Sequence, residues 1–344
     1  MVILTVIIFS SILFSQDYPQ LGSSESLDFM TWNVENYPKH SQTNSYMEDI
    51  INQINIDIIA FQEIGNSTAF NNLINELGEN WVGYRSGGSS SSYGELAYAI
   101  NTDEIEILNI YTILSQDAYY FAYREPYVLK FNYQNSEFIM INNHFKCCGD
   151  GDLDQNNSSD EEYRRLISSQ LIQEYVENYY SDDNVIILGD LNDMISDNIS
   201  DNVFWGFLQS NDFQFADYDI AYGSPSHWSY PTWPSHLDHI IITDELFEDF
   251  ESSNVETFEV DDYLSGGWNS YENYVSDHRP VFMKLDFESQ NIGDLNNDNN
   301  IDILDIVIVV SLILSGDYNI FGDINYDGSL NVMDVVILAN SILN

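Results

Sequence analysis

The chain has 344 residues, 44% hydrophobic and 14% aromatic, so it carries enough apolar material for a large core and is not a disordered acidic tail. Its 56 carboxylates against 9 Lys and Arg give a formal net charge of −47. That balance excludes a basic face that tracks nucleic acid electrostatically, and it suits a salty or divalent-rich medium in which counterions screen self-repulsion.

The N-terminus, MVILTVIIFSSILFSQ, is an uncharged apolar run too short to cross a bilayer, which takes roughly 20 apolar residues. It predicts an export signal over residues 1–15, cleaved after Ser15, and therefore a secreted chain with no integral membrane anchor; a buried strand is the alternative. From Ser26 to Phe287 short apolar strands alternate with polar loops. Strands are predicted at LDFMTWNV, DIIAFQEI, LAYAI, YVLKF, EFIMINNHF, NVIILGDL, LDHIIIT and PVFMKLDF. Helices are predicted at SYMEDIINQIN, STAFNNLINELG and SSDEEYRRLISSQLIQEYVENYY, the last opening with Ser and acidic residues suited to a helix N-terminus. The pattern predicts an α/β fold of two packed mixed sheets flanked by helices, a four-layer αββα sandwich. The two cysteines, Cys147 and Cys148, are adjacent. Neighbouring Cα atoms sit about 3.8 Å apart, below the usual disulfide span of roughly 4.4–6.8 Å, so a strained vicinal disulfide and two separate thiols both stay open.

Polar residues end several predicted strands. Asn33 lies in TWNVENY, Glu63 in FQEI, His144 in INNHF, Asp190 and Asn192 in ILGDLND, and Asp277 and His278 in VSDHRP, while Asp238 interrupts SHLDHI. One such residue is ordinarily a turn. Their recurrence predicts a site, because packed sheets gather strand ends on one rim. Asn33, Glu63 and Asp277 supply hard oxygen ligands of the kind Mg²⁺ prefers, and a histidine oriented by a carboxylate can move a proton. That combination points to hydrolysis of a phosphoester, with a metal and fixed donors stabilising charge on phosphorus.

In this order, and with Gln62 before Glu63 and Ser276-Asp277-His278-Arg279-Pro280 intact, these residues resemble the endonuclease/exonuclease/phosphatase superfamily. SYGELAYAI and YREPYVLKF resemble its secreted deoxyribonuclease I branch, and the resemblance spans residues 26–287. It implies a metal-dependent endonuclease acting on DNA or RNA. Glu63 would bind the catalytic Mg²⁺ or Mn²⁺, with Asn33 and Asp277 beside it. His278 with Asp238, and His144 with Glu95, would be the acid/base pairs; Asp190 and Asn192 would hold phosphate and attacking water. Arg124 and Tyr93 would contact the scissile strand. His239 stands where the family usually has an aromatic and is read as structural or substrate-facing. No motif supports His40, His227 or His236; the first two are expected on loops or the surface. Lys146, Arg124, Arg164 and Arg165 are the few candidates for a basic groove, which weighs against duplex DNA but not against a phosphoester. A phospholipid or small-molecule phosphodiesterase of the same fold, sphingomyelinase-like, is the second reading, with WSYPTWPSHLDH supplying aromatics. An inactive calcium-dependent binding protein is the third.

Beyond a linker at 288–292 the chain repeats itself, GDLNNDNNIDILDIVIVVSLIL and then GDINYDGSLNVMDVVILANSIL. Asp294, Asn296, Asp298 and Asp305 fall at positions 1, 3, 5 and 12 of a calcium loop, as do Asp323, Asn325, Asp327 and Asp334, with Asn300 and Ser329 between them. Gly328 occupies the sharp-turn position of the second loop. The repeat resembles a dockerin, the calcium-folded module that docks proteins to cohesins. It implies a small all-α calcium-binding domain over 293–344 with Ca²⁺ in both loops and a cohesin-type partner.

Overall fold

A computed structural model describes residues 17–87, 94–134, 136–287, 292–296 and 300–343. The predicted export signal, Tyr93, Asp298 and linker residues 288–291 lie outside the described residues. The chain divides into two compact units, the first ending at Asp286 and the second starting at Phe287.

The first unit is built on two six-stranded sheets. One contains β1 (Ser26–Tyr37), β2 (Ile58–Ile64), β3 (Trp81–Arg85), β4 (Glu95–Asn101), β11 (Asn254–Thr257) and β12 (Val281–Asp286), in the order β11-β12-β1-β2-β4-β3. The other contains β5 (Glu106–Thr112), β6 (Tyr127–Tyr133), β7 (Ser136–His144), β8 (Asn184–Asp190), β9 (Phe213–Phe215) and β10 (Asp238–Thr243), in the order β5-β6-β7-β8-β10-β9. Each sheet is mixed, with one parallel pair, β1–β2 in the first and β7–β8 in the second. All eight strands expected from the sequence are present. The four that were not expected, β3, β5, β9 and β11, are the four sheet edges.

Helices cover the outer faces because their apolar residues recur every three or four positions. Helix α1 (Thr43–Ile54) buries Met47, Ile50, Ile51 and Ile54, and α2 (Ser67–Leu77) buries Phe70, Leu73, Ile74 and Leu77. Both sets share one core with Trp32, Phe61 and Phe282 of the first sheet. Helix α3 (Glu161–Tyr179) sets Ile172 and Val176 against Ile139, Val185 and Ile241 of the second. Its N-cap is Asp160, whose side chain accepts the Tyr163 N–H at 2.7 Å.

Buried polar side chains tie the sheets together just below the rim. The Gln62 amide donates to Asn142 Oδ1 at 2.7 Å, and the Asn142 amide donates to the carbonyls of Phe61 and Ala97 at 3.0 and 3.1 Å. Groups buried this deeply must find partners or cost stability. Since Gln62 precedes Glu63 and Asn142 lies two residues before His144, these bonds also set one half of the site against the other.

In the second unit two helices, Ile303–Ser315 and Val332–Leu343, each follow one of the repeated loops. Both loops are wound on buried carboxylates: Asp294 and Asp305 in the first, Asp323 and Asp334 in the second. Asp305 accepts the N–H groups of Leu295 and Asp302 at 2.8 and 2.7 Å, and Asp323 accepts those of Gly328 and Asp327 at 2.8 and 3.2 Å. Gly328 has φ +77°, the left-handed turn that glycine permits. Among the described residues no helix is long and apolar enough to cross a membrane.

Candidate active site

The strand ends do meet at one rim. Asn33 on β1 donates from Nδ2 to Asp190 Oδ2 at 2.8 Å and to Glu63 Oε1 at 3.3 Å, joining β1, β8 and β2. His144, ending β7, brings Nε2 to 3.4 Å from Asp190 Oδ2 and 4.0 Å from Glu63 Oε1. Asp238, opening β10, holds His278 Nδ1 at 2.7 Å, and His278 Nε2 lies 4.0 Å from Asp190 Oδ2. Ser276 locks the loop before β12 onto β1 by donating to the Asn33 carbonyl at 2.6 Å while accepting the His278 N–H at 3.0 Å.

Backbone geometry at the rim departs from regular strand. The β1–β2 register slips between Asn33 and Tyr37, and non-glycine residues with positive φ cluster there: Glu35 at 35°, Asn36 at 51°, Glu63 at 66° and Asn192 at 56°. Such conformations cost energy and persist where surrounding structure imposes them, which is common at sites of chemistry. Glycines make two of the close approaches possible. A Cβ on Gly94 would sit 2.5 Å from the Glu63 backbone, and one on Gly189 would sit 2.0 Å from the Asn143 carbonyl.

The two site histidines carry opposite electrostatics. Burial opposes charge on His278, but Asp238 and Asp190 outweigh it and hold its pKa up to about 10. His144 is pushed well below the usual imidazole range by burial, by Arg124 and by His278. Asp190, buried beside Asp238 and Glu63, is pushed up to about 7, although His278 and Asn33 pull the other way. An imidazolium, a neutral imidazole and a carboxyl that titrates near neutrality therefore share a few ångströms. Titratable groups whose environments separate their pKa values are candidates for acid and base roles.

Several expectations need correction. Glu95 does not pair with His144: its carboxylate takes Arg85 at 2.6 Å, and His144 Nδ1 is buried with no hydrogen-bond partner among the described residues. Arg124 does not reach outward; it is buried and donates to the carbonyls of His144 and Phe145 at 3.1 and 2.6 Å, fixing the end of β7. Asn33 turns its amide nitrogen to Glu63 and its Oδ1 to the Glu35 N–H, so in this orientation it positions Glu63 rather than offering an oxygen beside it. Tyr93 lies outside the described residues. Asn192 donates to the Phe145 carbonyl at 3.4 Å and turns the chain after Asp190. Arg279, beside His278 in the sequence, faces away and forms a two-pronged pair with Asp261 at 2.7 Å on each side.

Two further residues join the rim, to which the sequence assigns neither. Glu35 accepts the Asp277 N–H at 3.2 Å and pairs with Lys39, adding a carboxylate beside the expected metal ligands. It stands two residues after Asn33, and alternation along a strand could have flagged it. Tyr230 lays its ring 4.8 Å from that of His278; a contact across 48 positions leaves no local signal.

His236 and His239 form a second buried cluster with Asp217. His236 Nδ1 accepts the Ser229 N–H at 3.3 Å, so its proton sits on Nε2, which donates to Asp217 at 3.0 Å. His239 donates from Nε2 to the Asp193 carbonyl at 2.9 Å and from Nδ1 to Asp217 at 2.6 Å. All four ring nitrogens are thus committed, and the cluster is a structural ion pair rather than a ligand set. His239 takes the structural one of its two expected roles.

For a divalent ion at the rim the donors fit. Glu63, Glu35 and Asp277 supply hard carboxylate oxygens, with Glu35 accepting the Asp277 N–H at 3.2 Å, and Asp190, Asp238 and His278 bring ligand atoms within 4.8 Å of one another.

Two sheets with His and carboxylate groups joined across one rim define a phosphoester-hydrolase type of site. A family model described as the Endonuclease/Exonuclease/phosphatase family matches residues 30–278, and the chain belongs to that family. Solved structures with this fold include D. rerio TDP2 complexed with single-strand DNA product, at 13% identity over 76% of this chain and 99% of that chain, TM-score 0.56. The human Nocturnin catalytic domain with bound sulfate is similar at 14% identity over 76% and 93%, TM-score 0.54. An endonuclease/exonuclease/phosphatase from Bacteroides vulgatus is similar at 14% over 76% and 99%, TM-score 0.52. At these identities the likeness is one of fold. A search of curated protein sequences finds no match.

Proposed function

We propose that this chain is a secreted, divalent-metal-dependent phosphodiester hydrolase that cuts nucleic acid, single strands in preference to duplex. The observation that carries the reading is the Asp238–His278 pair, 2.7 Å apart, with its free Nε2 aimed at Asp190. Glu63, with Glu35 and Asp277, would hold Mg²⁺ or Mn²⁺, which would supply charge neutralisation at the phosphoryl oxygens, and Asn33 would position Glu63 for it. His278, kept protonated by Asp238, stabilises the phosphoryl charge and gives its Nε2 proton to the departing oxygen. Asp190, titrating near 7, accepts the proton of the attacking water, and Asn33 fixes its orientation. His144, neutral, contributes a hydrogen bond beside Asp190 without adding charge.

The preference for single strands follows from the scarcity of cations. All nine Lys and Arg are already engaged by carboxylates or main-chain carbonyls, including Lys39 with Glu35, Arg85 with Glu95 and Arg279 with Asp261. No row of spare charges is left to track two phosphate backbones, whereas one scissile phosphodiester needs only the metal and local donors. The fold neighbour bound to single-strand DNA product supports the same choice. A second reading, a phospholipid diesterase, is favoured by Trp233, 75% exposed three residues beyond Tyr230. The C-terminal unit we read as a dockerin-like module that folds on Ca²⁺ in both loops and docks to a cohesin-type partner; its buried carboxylates at the first and last loop positions support this.

Purified protein is incubated with single-stranded DNA, RNA, plasmid and sphingomyelin vesicles, each with Mg²⁺ or EDTA. Metal-dependent cleavage of the single strands in excess of the others is expected. Turnover of sphingomyelin alone would transfer the assignment to the lipid reading, and no turnover of any substrate would leave the third reading, an inactive binding protein, in possession.

A further inference from the structure

The loop that leaves catalytic strand β7 and returns to α3 carries a second group of carboxylates. Oxygens of Asp150, Asp160 and Glu162 lie within 4.8 Å of one another, with no sulfur or imidazole in the group. Glu162 is the informative member. It is 2% exposed; its Oε1 accepts the Gly151 N–H at 2.8 Å and Arg165 Nη2 at 3.0 Å, while its Oε2 is buried with no hydrogen-bond partner among the described residues. A carboxylate oxygen withdrawn from water calls for a donor or a cation. Arg165 does not supply enough. Its Nε is committed to Asp193 at 2.7 Å, and its Nη1 to the carbonyls of Lys146 and Cys148. The Gly149 turn closes directly on the acid: with φ +113°, a Cβ there would fall 2.2 Å from Glu162 Oε1 and 2.7 Å from Oε2.

We propose that Asp150, Asp160 and Glu162 bind a hard divalent cation, Ca²⁺, which pins the loop of residues 145–160 to the start of α3. An all-oxygen donor set drawn from one exposed, one half-buried and one buried side chain suits Ca²⁺, which accepts six to eight oxygens in flexible geometry; Mg²⁺ demands a near-ideal octahedron and sheds water reluctantly. This site is separate from the rim carboxylates and from the C-terminal loops. It acts on the active site only by ordering the chain that starts at His144.

The test is hydrogen exchange of the full chain at constant Mg²⁺, with CaCl₂ or with EGTA, read on peptides covering residues 146–160. Exchange there should slow about tenfold when Ca²⁺ stands about tenfold above its Kd, because binding suppresses opening by that factor. The Asp150→Asn/Asp160→Asn variant should lose the slowing while peptides from the sheets stay protected. Should that variant fail to fold, Asp150→Asn alone, at an exposed side chain, should show the same loss. Exchange in the wild type that ignores Ca²⁺, slowing that Mg²⁺ alone produces in full, or slowing retained in the folded variant would each overturn the site.

Discussion

At the scale of single residues, His278 is the group whose environment is most specialised for one protonation state. Asp238 fixes Nδ1, so removing the ring removes both a proton and a positive charge from beside Asp190. His278→Ala should lower kcat by about 10²–10⁴-fold with the fold retained, since acid–base groups contribute on that order. Circular dichroism and initial rates on one preparation would check this, and near-wild-type turnover would reject the role. A second residue-scale prediction concerns His239. Burial lowers its pKa, but Asp217's charge and hydrogen bond, with the Asp193 carbonyl, raise it overall, while Asp217 is itself held low by His239 and His236 against the effect of burial. Replacing the ring with Phe, between Phe204 and Phe215, keeps the packing but breaks the pair, and should cost about 3–5 kcal/mol. His239 contributes fully below its unfolded pKa of about 6.5. Asp217 contributes above about 3.9. The wild-type advantage over His239→Phe should therefore be largest between those values and shrink as pH rises through the raised pKa of His239. Urea unfolding across pH would show it; an advantage that grows with pH would contradict the pairing.

At the scale of elements, what could be read from the sequence was the centre of each sheet. Strands buried on both faces, such as β2 and β8, are continuously apolar, and their ends announce themselves by a sudden Glu63 or Asp190. Edge strands bury less. In β5 no residue is fully buried, and in β3 only Trp81 is, so their patterns look like loop. The same reason explains the site. Asn33, Glu63, His144, Asp190, Asp238 and His278 stood out as polar breaks at strand ends, and the structure brings all six together. Pairings did not stand out, because Arg85 across β3–β4 is the residue that claims Glu95, and β3 itself was invisible. The β7–β8 contact offers an element-scale test. Gly189, φ +143°, allows β8 to pass β7 where a Cβ would lie 2.0 Å from the Asn143 carbonyl, directly beside Asp190 and His144. Gly189→Ala should destabilise by about 1–3 kcal/mol and lower turnover, through a strained backbone displaced at the site. An unchanged denaturation midpoint would show that the strands have more room than this geometry gives them.

At the scale of the whole molecule, the two units should depend on different things for their folding. The first buries a large apolar core around two sheets. The second is small, and domains below about 70–80 residues usually need metals or other staples. Its four buried carboxylates repel one another unless a cation or a proton intervenes, so metal binding should be coupled to folding. A chain ending at Phe287 is expected to keep its hydrolytic activity, and the isolated repeat, 293–344, to gain helical circular dichroism only on adding Ca²⁺. A helical repeat indifferent to chelator, or a folded but inactive shortened chain, would contradict this division. The central claim is that hydrolysis runs through a metal held at Glu63, since the chain has no spare cations to do that work. It is tested most directly by the initial rate of cleavage of a single-stranded oligonucleotide, wild type and Glu63→Gln compared in Mg²⁺ and in EDTA. The account predicts cleavage by the wild type in Mg²⁺ only, with Glu63→Gln inactive at the same Mg²⁺ concentration; cleavage that survives EDTA, or a Glu63→Gln chain as fast as wild type, would contradict it.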